Sequence, residues 1–212
     1  MEIDDVIEGI RGALEPQQLK YLIERLGQKS EREAVAIVGM ACRFPGGCDT
    51  PEKLHRFAQA GGNAVDNVPV GRWSDGWGPR SDAGPLRGAF LNDIAGFDSL
   101  FFNIAPVDAD YVDPQQRLLL EVSWEALEDA GLLPKQLSGS QTGVFFGMFS
   151  NDYFDLQQAG TPYCHPAAAT GTQASMAAGR VSHWLNVRGP SMVVDTACSA
   201  SLVAIHLACQ SL

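Results

Sequence analysis

Two patterns of hydrophobic residues divide the chain near residue 33. Over residues 1–33, apolar side chains recur every three or four positions among 13 charged residues, which predicts two short amphipathic helices. Pro16 suits the first turn of the second helix, and Gly27 suits its end. Residues 34–40 (AVAIVGM) then form a continuous apolar run, which is typical of a strand covered on both faces. We therefore predict a helical segment over residues 1–33 and a separate domain over residues 34–212.

Helix-start and helix-stop signals mark the next elements. Thr50 offers an N-cap, followed by a first-turn proline, for a helix over residues 51–60. Asp113 is likewise an N-cap followed by a first-turn proline, for a helix over residues 114–131, which is the clearest helix of the chain. The glycine, proline, aspartate and asparagine residues of 63–96 predict a loop with short strands.

The last 57 residues are almost free of charge. Residues 156–212 contain three charged residues, Arg180, Arg188 and Asp195, so we expect most of this segment to be buried. The helix that we predict over residues 170–185 is lined with small residues, which allow close packing. The same patterns predict strands and a final helix over residues 142–149, 191–197 and 198–212.

Composition and charge exclude several classes of protein. The 212 residues, with 15 Lys plus Arg against 25 Asp plus Glu, carry a net charge of −10, which repels nucleic acids and anionic membrane surfaces. No apolar run is long enough to cross a membrane, and the acidic amino terminus differs from a signal peptide. Five cysteines without CxxC pairs indicate neither a disulfide framework nor a zinc site. We expect a soluble, cytoplasmic protein.

The most informative stretch surrounds Cys198, in VVDTACSASL (193–202), where a predicted strand turns into a predicted helix. At the first turn of a helix, unpaired N–H groups and the helix dipole favour a thiolate, and the same groups can hold a thioester oxyanion. Such an elbow suits acyl transfer through a thioester. We interpret Asp195 as holding the turn by hydrogen bonds, and the alternative is that it transfers a proton. The residues alone leave two roles open for Cys198, a nucleophile or a buried structural cysteine.

Five segments between residues 36 and 212 carry a family resemblance. In chain order they are AIVGMACRFPGG (36–47), DPQQRLLLEVSWEALEDAG (113–131), TGVFFGMFSNDY (142–153), ATGTQASMAAGRVSHWL (169–185) and GPSMVVDTACSASLVAIHLACQSL (189–212). Together they resemble the β-ketoacyl synthases, in particular the ketosynthase domains of modular polyketide synthases. The resemblance selects Cys198 as the nucleophile, with its backbone N–H in the oxyanion hole.

The resemblance implies a fold and an activity. The expected fold is α/β and thiolase-like, represented by its amino-terminal half, a mixed sheet covered by helices, after a short helical segment. The expected reaction starts when an acyl group passes from the phosphopantetheine arm of an acyl carrier protein to Cys198. A malonyl-type thioester then loses CO2, and its carbanion attacks the acyl-cysteine. The resemblance calls for no metal or cofactor of the protein's own.

The resemblance also implies partners. We expect an acyl carrier protein and a second ketosynthase copy in a homodimer. For residues 1–33 two interpretations stay open: a linker packed on its own domain, or a docking element for an upstream polyketide synthase subunit.

The chain departs from the family in one respect. The family uses two further histidines and a lysine, all beyond the position where this sequence stops, so we expect the isolated 212 residues to be inactive. The alternative hypothesis is therefore a truncated fragment that binds, at most, a carrier protein or a partner subunit.

Other candidate residues have weaker signals. Thr170 and Thr172 match a family segment near the acyl pocket, and the alternative is that a capping threonine begins a helix. The sequence leaves the role of His165 open. We expect His183 and His206 to pack in the core.

Overall fold

The structure, a computed structural model, describes residues 34–72, 86–160 and 165–212, together with Glu15, Gln17, Gln18 and Lys20. The chain divides into two compact units, Met1–Ala36 and Ile37–Leu212. In the first unit, Gln17, Gln18 and Lys20 are helical. The remainder of the two amphipathic helices predicted over residues 1–33 lies outside the described residues.

The second unit combines helices with short strands. Its helices are α1 (Pro51–Gln59), α2 (Pro106–Ala109), α3 (Pro114–Asp129), α4 (Pro134–Leu137), α5 (Asp152–Gly160), α6 (Pro166–Gly171), α7 (Met176–Leu185) and α8 (Ala200–Gln210). None of the helices in the described part of the chain has both the length and the hydropathy of a membrane-spanning segment.

The two helices predicted from capping signals are confirmed. The Thr50 hydroxyl accepts a hydrogen bond of 3.3 Å from the Lys53 N–H at the start of α1. The Asp113 carboxylate accepts one of 2.8 Å from the Gln115 N–H at the start of α3. Gly131 follows α3 with a φ of +68°, a left-handed conformation that glycine adopts without strain. Local sequence signals therefore set where both helices begin and where α3 ends.

The strands of the described residues form two small sheets. Strands β1 (Val65–Asn67) and β2 (Arg87–Ala89) are antiparallel and lie in the predicted loop region. Strands β3 (Val144–Gly147) and β4 (Ser191–Val194) are parallel. The strands predicted over residues 142–149 and 191–197 are confirmed, each shorter than predicted.

The strand predicted over residues 34–40 is wrong. No residue of this segment is in a strand, and Ile37 and Val38 are 79% and 68% exposed. Its last residues, Gly39 and Met40, instead lie against the end of α3, where the Met40 N–H donates a 2.8 Å hydrogen bond to Asp129 Oδ2. An apolar run becomes a strand only where another strand offers its edge, and no described strand pairs with this one.

The single helix predicted over residues 170–185 is two helices, α6 and α7. The Gly171 carbonyl accepts a 2.9 Å hydrogen bond from the Asp113 N–H, and the Gln173 carbonyl accepts one of 3.0 Å from the Gln116 side chain. A Cβ at Gly171 would lie 2.1 Å from the Tyr111 carbonyl oxygen. Contacts with the start of α3 therefore break the helix here.

The core lies between α3, α7 and β3. Leu120 of α3 and Ala178 of α7 are 0% exposed, so the small residues of α7 do allow close packing. Trp124 and Trp184 pack edge to face with ring centroids 5.9 Å apart. The buried residues of this cluster are Phe102, Ile104, Val112, Leu120, Val144, Ala178, Val181 and Leu185.

The prediction that the last 57 residues are mostly buried holds for α7 and is wrong for α8. In α8, Ala200 and Ala204 are the buried residues, whereas Leu202 and Ile205 are 73% and 60% exposed. One face of α8 packs on β3 and β4, and the opposite face is apolar and exposed in this chain.

Candidate functional site

Cys198 lies in a tight turn between a strand and a helix. Strand β4 ends at Val194, a 3-10 turn spans Ala197–Ser199, and α8 begins at Ala200. The predicted elbow around Cys198 is therefore confirmed as local structure. Cys198 is exposed, with its thiol free, so the structure corrects the alternative in which it is a buried cysteine.

Side chains of the elbow hold the turn. Asp195 Oδ1 accepts a 3.0 Å hydrogen bond from the Ala197 N–H. The Ser199 hydroxyl donates to the Thr196 carbonyl oxygen at 2.8 Å and lies 2.9 Å from the Thr196 hydroxyl. The turn-holding role predicted for Asp195 is confirmed.

The backbone is strained directly before the cysteine. Ala197 has a φ of +53°, a left-handed conformation that costs an L-residue about 1–2 kcal/mol. Strain of this kind persists only where the surrounding contacts impose it, and it is concentrated at functional sites. The elbow thus presents the Cys198 thiol from a strained backbone.

The start of α8 lacks a side-chain cap. Ser199, at the N-cap, makes no side-chain hydrogen bond to the first turn. The N–H groups of a first helical turn have no partner within the helix. Together with the positive end of the helix dipole, they favour negative charge next to Cys198.

Thr170 and Thr172 lie at the carboxyl end of α6. Thr172 is 2% exposed, and its hydroxyl donates to the Ala168 carbonyl at 2.7 Å. Thr170 donates to the Ala167 carbonyl at 3.4 Å. Neither threonine begins a helix, so that interpretation is wrong, and no hydrogen bond in the described chain joins either one to the elbow. Their role at an acyl pocket stays a prediction.

His165 caps α6. Its Nδ1 accepts a 3.3 Å hydrogen bond from the Ala167 N–H, and its ring stacks on Tyr111 with centroids 4.1 Å apart. The same Nδ1 lies 3.9 Å from an Asp108 carboxylate oxygen. His183 and His206, predicted to pack in the core, are exposed.

Sequence reasoning missed a partly buried pair, Gln116 and Arg180, that holds α6 and α7. Gln116 is 1% exposed, and its Oε1 accepts a 2.9 Å hydrogen bond from Arg180 Nε. Its amide also donates to the Gln173 carbonyl at 3.0 Å. Burial lowers the pKa of Arg180. One sequence feature could have indicated this pair. Gln116 lies one helical turn before Leu120, and this spacing places Gln116 on the buried face of α3.

The other described thiols differ from Cys198 in their surroundings. Cys48 is 2% exposed, and burial raises the pKa of the Cys42 thiol. Cys209, at the far end of α8, is exposed. Among the described residues there is no group of three or more histidine, cysteine or acidic side chains that could hold a metal ion.

Residues 32–212 match the family described as "Beta-ketoacyl synthase, N-terminal domain". The chain belongs to the β-ketoacyl synthase family. Over 195 residues this ketoacyl synthase chain is 46% identical to a phenolphthiocerol/phthiocerol polyketide synthase of Mycobacterium tuberculosis, covering 89% of the chain and 13% of that protein. Over 179 residues it is 48% identical to a spectinabilin polyketide synthase system protein of Streptomyces orinoci, covering 84% of the chain and 5% of that protein.

Solved ketosynthases share the fold of this ketoacyl synthase chain. The ketosynthase from module 6 of the bacillaene synthase of Bacillus subtilis 168 superposes with a TM-score of 0.67 at 36% identity, over 84% of this chain and 29% of that one. The oxazolomycin ketosynthase domain of Streptomyces albus JA3453 superposes with a TM-score of 0.68 at 35% identity, over 82% of this chain and 32% of that one. The predicted family and the thiolase-like fold class are confirmed, and the chain spans less than a third of each solved ketosynthase.

Proposed function

We propose that this chain contributes the nucleophile of a polyketide ketosynthase, and that Cys198 is that nucleophile. The observation that carries the proposal is the position of Cys198, exposed in the turn between β4 and the uncapped start of α8. The named relatives support it, because they are polyketide synthases and ketosynthase domains.

The first step is a thioester exchange. The Cys198 thiolate attacks the carbonyl carbon of an acyl group carried on the phosphopantetheine arm of an acyl carrier protein. The carbon–sulfur bond to phosphopantetheine breaks, and that sulfur leaves as a thiol after taking up a proton. The backbone N–H of Cys198 and N–H groups at the start of α8 stabilise the oxyanion that forms between these events, since donors held in place by the backbone need no rearrangement. A thiolate suits both the acylation of Cys198 and the later release of the acyl group, because it is a good nucleophile and a good leaving group.

The second step is the condensation. A malonyl-type thioester loses CO2, and the resulting carbanion attacks the acyl-Cys198 carbonyl to give a β-ketoacyl thioester and the free thiolate. The residues that assist decarboxylation belong to the parts of a ketosynthase that the family pattern places after residue 212. The 212 residues alone therefore accept an acyl group without completing the condensation.

The proposed partners follow from this chemistry. An acyl carrier protein delivers the acyl group, and a second ketosynthase copy forms the dimer of the family. Residues 1–33 serve as the docking or linker element before the ketosynthase. The protein needs no cofactor of its own, since the phosphopantetheine arm belongs to the carrier.

A second candidate function is a binding module without acyl transfer. The observation that favours it is the exposed apolar face of α8, with Leu202 and Ile205 at 73% and 60% exposure, because contiguous exposed apolar surface marks interaction sites. In this case the chain would contact a carrier protein or a partner subunit, and Cys198 would remain unmodified.

Acylation of the cysteines distinguishes the two functions. The chain is treated with an acyl-phosphopantetheine thioester, with and without the remainder of a ketosynthase supplied in trans, and the modified cysteines are mapped by mass spectrometry. We expect Cys198 to be acylated first, and Cys198→Ala to abolish the modification while Cys209→Ala leaves it intact. Equal labelling of all the cysteines, or labelling that survives Cys198→Ala, contradicts the proposal.

A further inference from the structure

Strand β3 passes very close to the first turn of α8 at Gly147. Gly147 is the last residue of β3 and pairs with Val194, the last residue of β4. A Cβ built at Gly147 would lie 2.5 Å from the Ser201 nitrogen and 2.6 Å and 2.9 Å from the Ala200 carbonyl carbon and oxygen. All three are backbone atoms, so no side-chain rotation can relieve the contact.

This close approach sets the distance between the first turn of α8 and strand β3. Contacts shorter than 3.0 Å are essentially never seen for a Cβ atom, so a side chain at position 147 requires a shift of the Ala200–Ser201 peptide or of the β3 backbone. Ala200 is 4% exposed and is enclosed on its packed side. The sheet cannot yield instead without breaking its ladder, in which the Met148 N–H donates to the Val194 carbonyl at 3.1 Å.

The displaced peptide lies two to three residues after Cys198. Since the elbow is one tight turn held by the Asp195 side chain, movement of the first turn of α8 changes the direction of its N–H groups relative to the thiol. Oxyanion stabilisation depends on that direction, and a displacement of about 1 Å can cost about 100-fold in rate.

We propose that Gly147 is a positioning residue for Cys198. The absence of a side chain at Gly147 lets the first turn of α8 pack directly on β3. This contact sets the positions of the Cys198 thiol and of the helical N–H groups relative to a thioester carbonyl. Gly147 touches no substrate and acts through the backbone of Ala200 and Ser201. This inference rests on the proposed acyl transfer to Cys198.

Two rates measured on the same thiol test the proposal. Acylation by an acyl-phosphopantetheine thioester needs the oxyanion geometry, whereas alkylation by iodoacetamide needs only an accessible thiolate. We expect Gly147→Ala to slow acylation of Cys198 by about 10- to 100-fold and to leave its alkylation within about two-fold of the parent chain. The matched control is Gly179→Ala in α7, because a Cβ at Gly179 meets no atom within 4 Å; both rates should stay unchanged there.

The outcomes separate this inference from the proposed function. The rest of a ketosynthase is supplied to the parent chain. If Cys198 is then alkylated by iodoacetamide but is never acylated, the proposed function fails. If the parent is acylated and Gly147→Ala is acylated equally fast, the positioning role is overturned. Reaction of iodoacetamide with the buried Cys48 reveals a variant that has not folded. In that case Ala200→Val, which presses on the same turn from the helix side, must lower the ratio of acylation to alkylation, and an unchanged ratio overturns the proposal.

Discussion

Asp195 and Ala197 are joined by a hydrogen bond of 3.0 Å, in which the Ala197 N–H donates to Asp195 Oδ1. Ala197 has a left-handed φ of +53° and is followed directly by Cys198. The bond therefore supports an unfavourable backbone conformation at the one place where the proposed chemistry needs a sharp turn.

Removing this hydrogen bond is expected to weaken both the turn and acyl transfer. Asp195→Ala leaves the Ala197 N–H without its acceptor and should lower the free energy of unfolding by about 1 kcal/mol, with slower acylation of Cys198. Asp195→Asn keeps an oxygen acceptor at the same place and should resemble the parent chain in both respects. Urea denaturation and thioester acylation measure the two effects. Equal damage by both substitutions would show that the charge of the carboxylate matters more than its hydrogen bond.

Protonation of Asp113 should make the free energy of unfolding depend on pH. Burial raises the pKa of this carboxyl above its ordinary value of 3.8. An acid with a higher pKa in the folded protein binds its proton more tightly there, so the folded state loses stability as pH rises from about 3.8 through the folded pKa. We expect the unfolding free energy of the parent chain, minus that of Asp113→Asn, to fall with rising pH and then to level off.

Asp93 provides a control of opposite sign. Hydrogen bonds from the Gly96 and Ala95 N–H groups lower the pKa of this carboxyl below its ordinary 3.8. The corresponding difference for Asp93→Asn should therefore rise with pH in the acid range. Thermal melts between about pH 3 and 7 record both differences. A parent-minus-Asp113→Asn difference that rises with pH would contradict the buried-acid interpretation.

The exposed face of α8 should make the isolated chain bind dyes and self-associate. Substituting Leu202→Gln and Ile205→Gln together should reduce the fluorescence of a dye that binds apolar surface, and should change the unfolding free energy by no more than about 0.5 kcal/mol per site. Val70→Gln, at a fully exposed residue, is the matched control outside α8 and should leave dye binding unchanged. A parent chain that is a monodisperse, cooperatively melting monomer without dye binding would refute this expectation.

The sequence was sufficient wherever the structural signal is local. Thr50 and Asp113 predict the starts of α1 and α3, and the DTACSASL stretch predicts the Cys198 elbow, because the strand, the turn and the helix follow one another along the chain. The contacts that decide the remaining structure join distant residues. The Gln116 to Arg180 hydrogen bond spans 64 positions, and it belongs to the contacts that divide α6 from α7.

The incorrect strand over residues 34–40 has a similar cause. Its apolar composition describes a segment that can be buried, but a strand also needs a partner edge, and composition carries no information about that edge. The exposure of Leu202 and Ile205 likewise depends on what lies against α8 and not on the helix itself. The close approach at Gly147 has no sequence signal beyond the glycine itself.

The parallel pairing of β3 with β4 has a consequence for the order of events in folding. Val144 and Ser191 are partners in the sheet although 47 positions separate them. At about 5–20 residues per second of synthesis, β3 leaves the ribosome several seconds before its partner. Pairings between distant segments also close slowly, because loop entropy is lost before any contact forms. We therefore expect β3 and β4 to pair late in folding, so that the appearance of thioester reactivity at Cys198 would report that the sheet has closed.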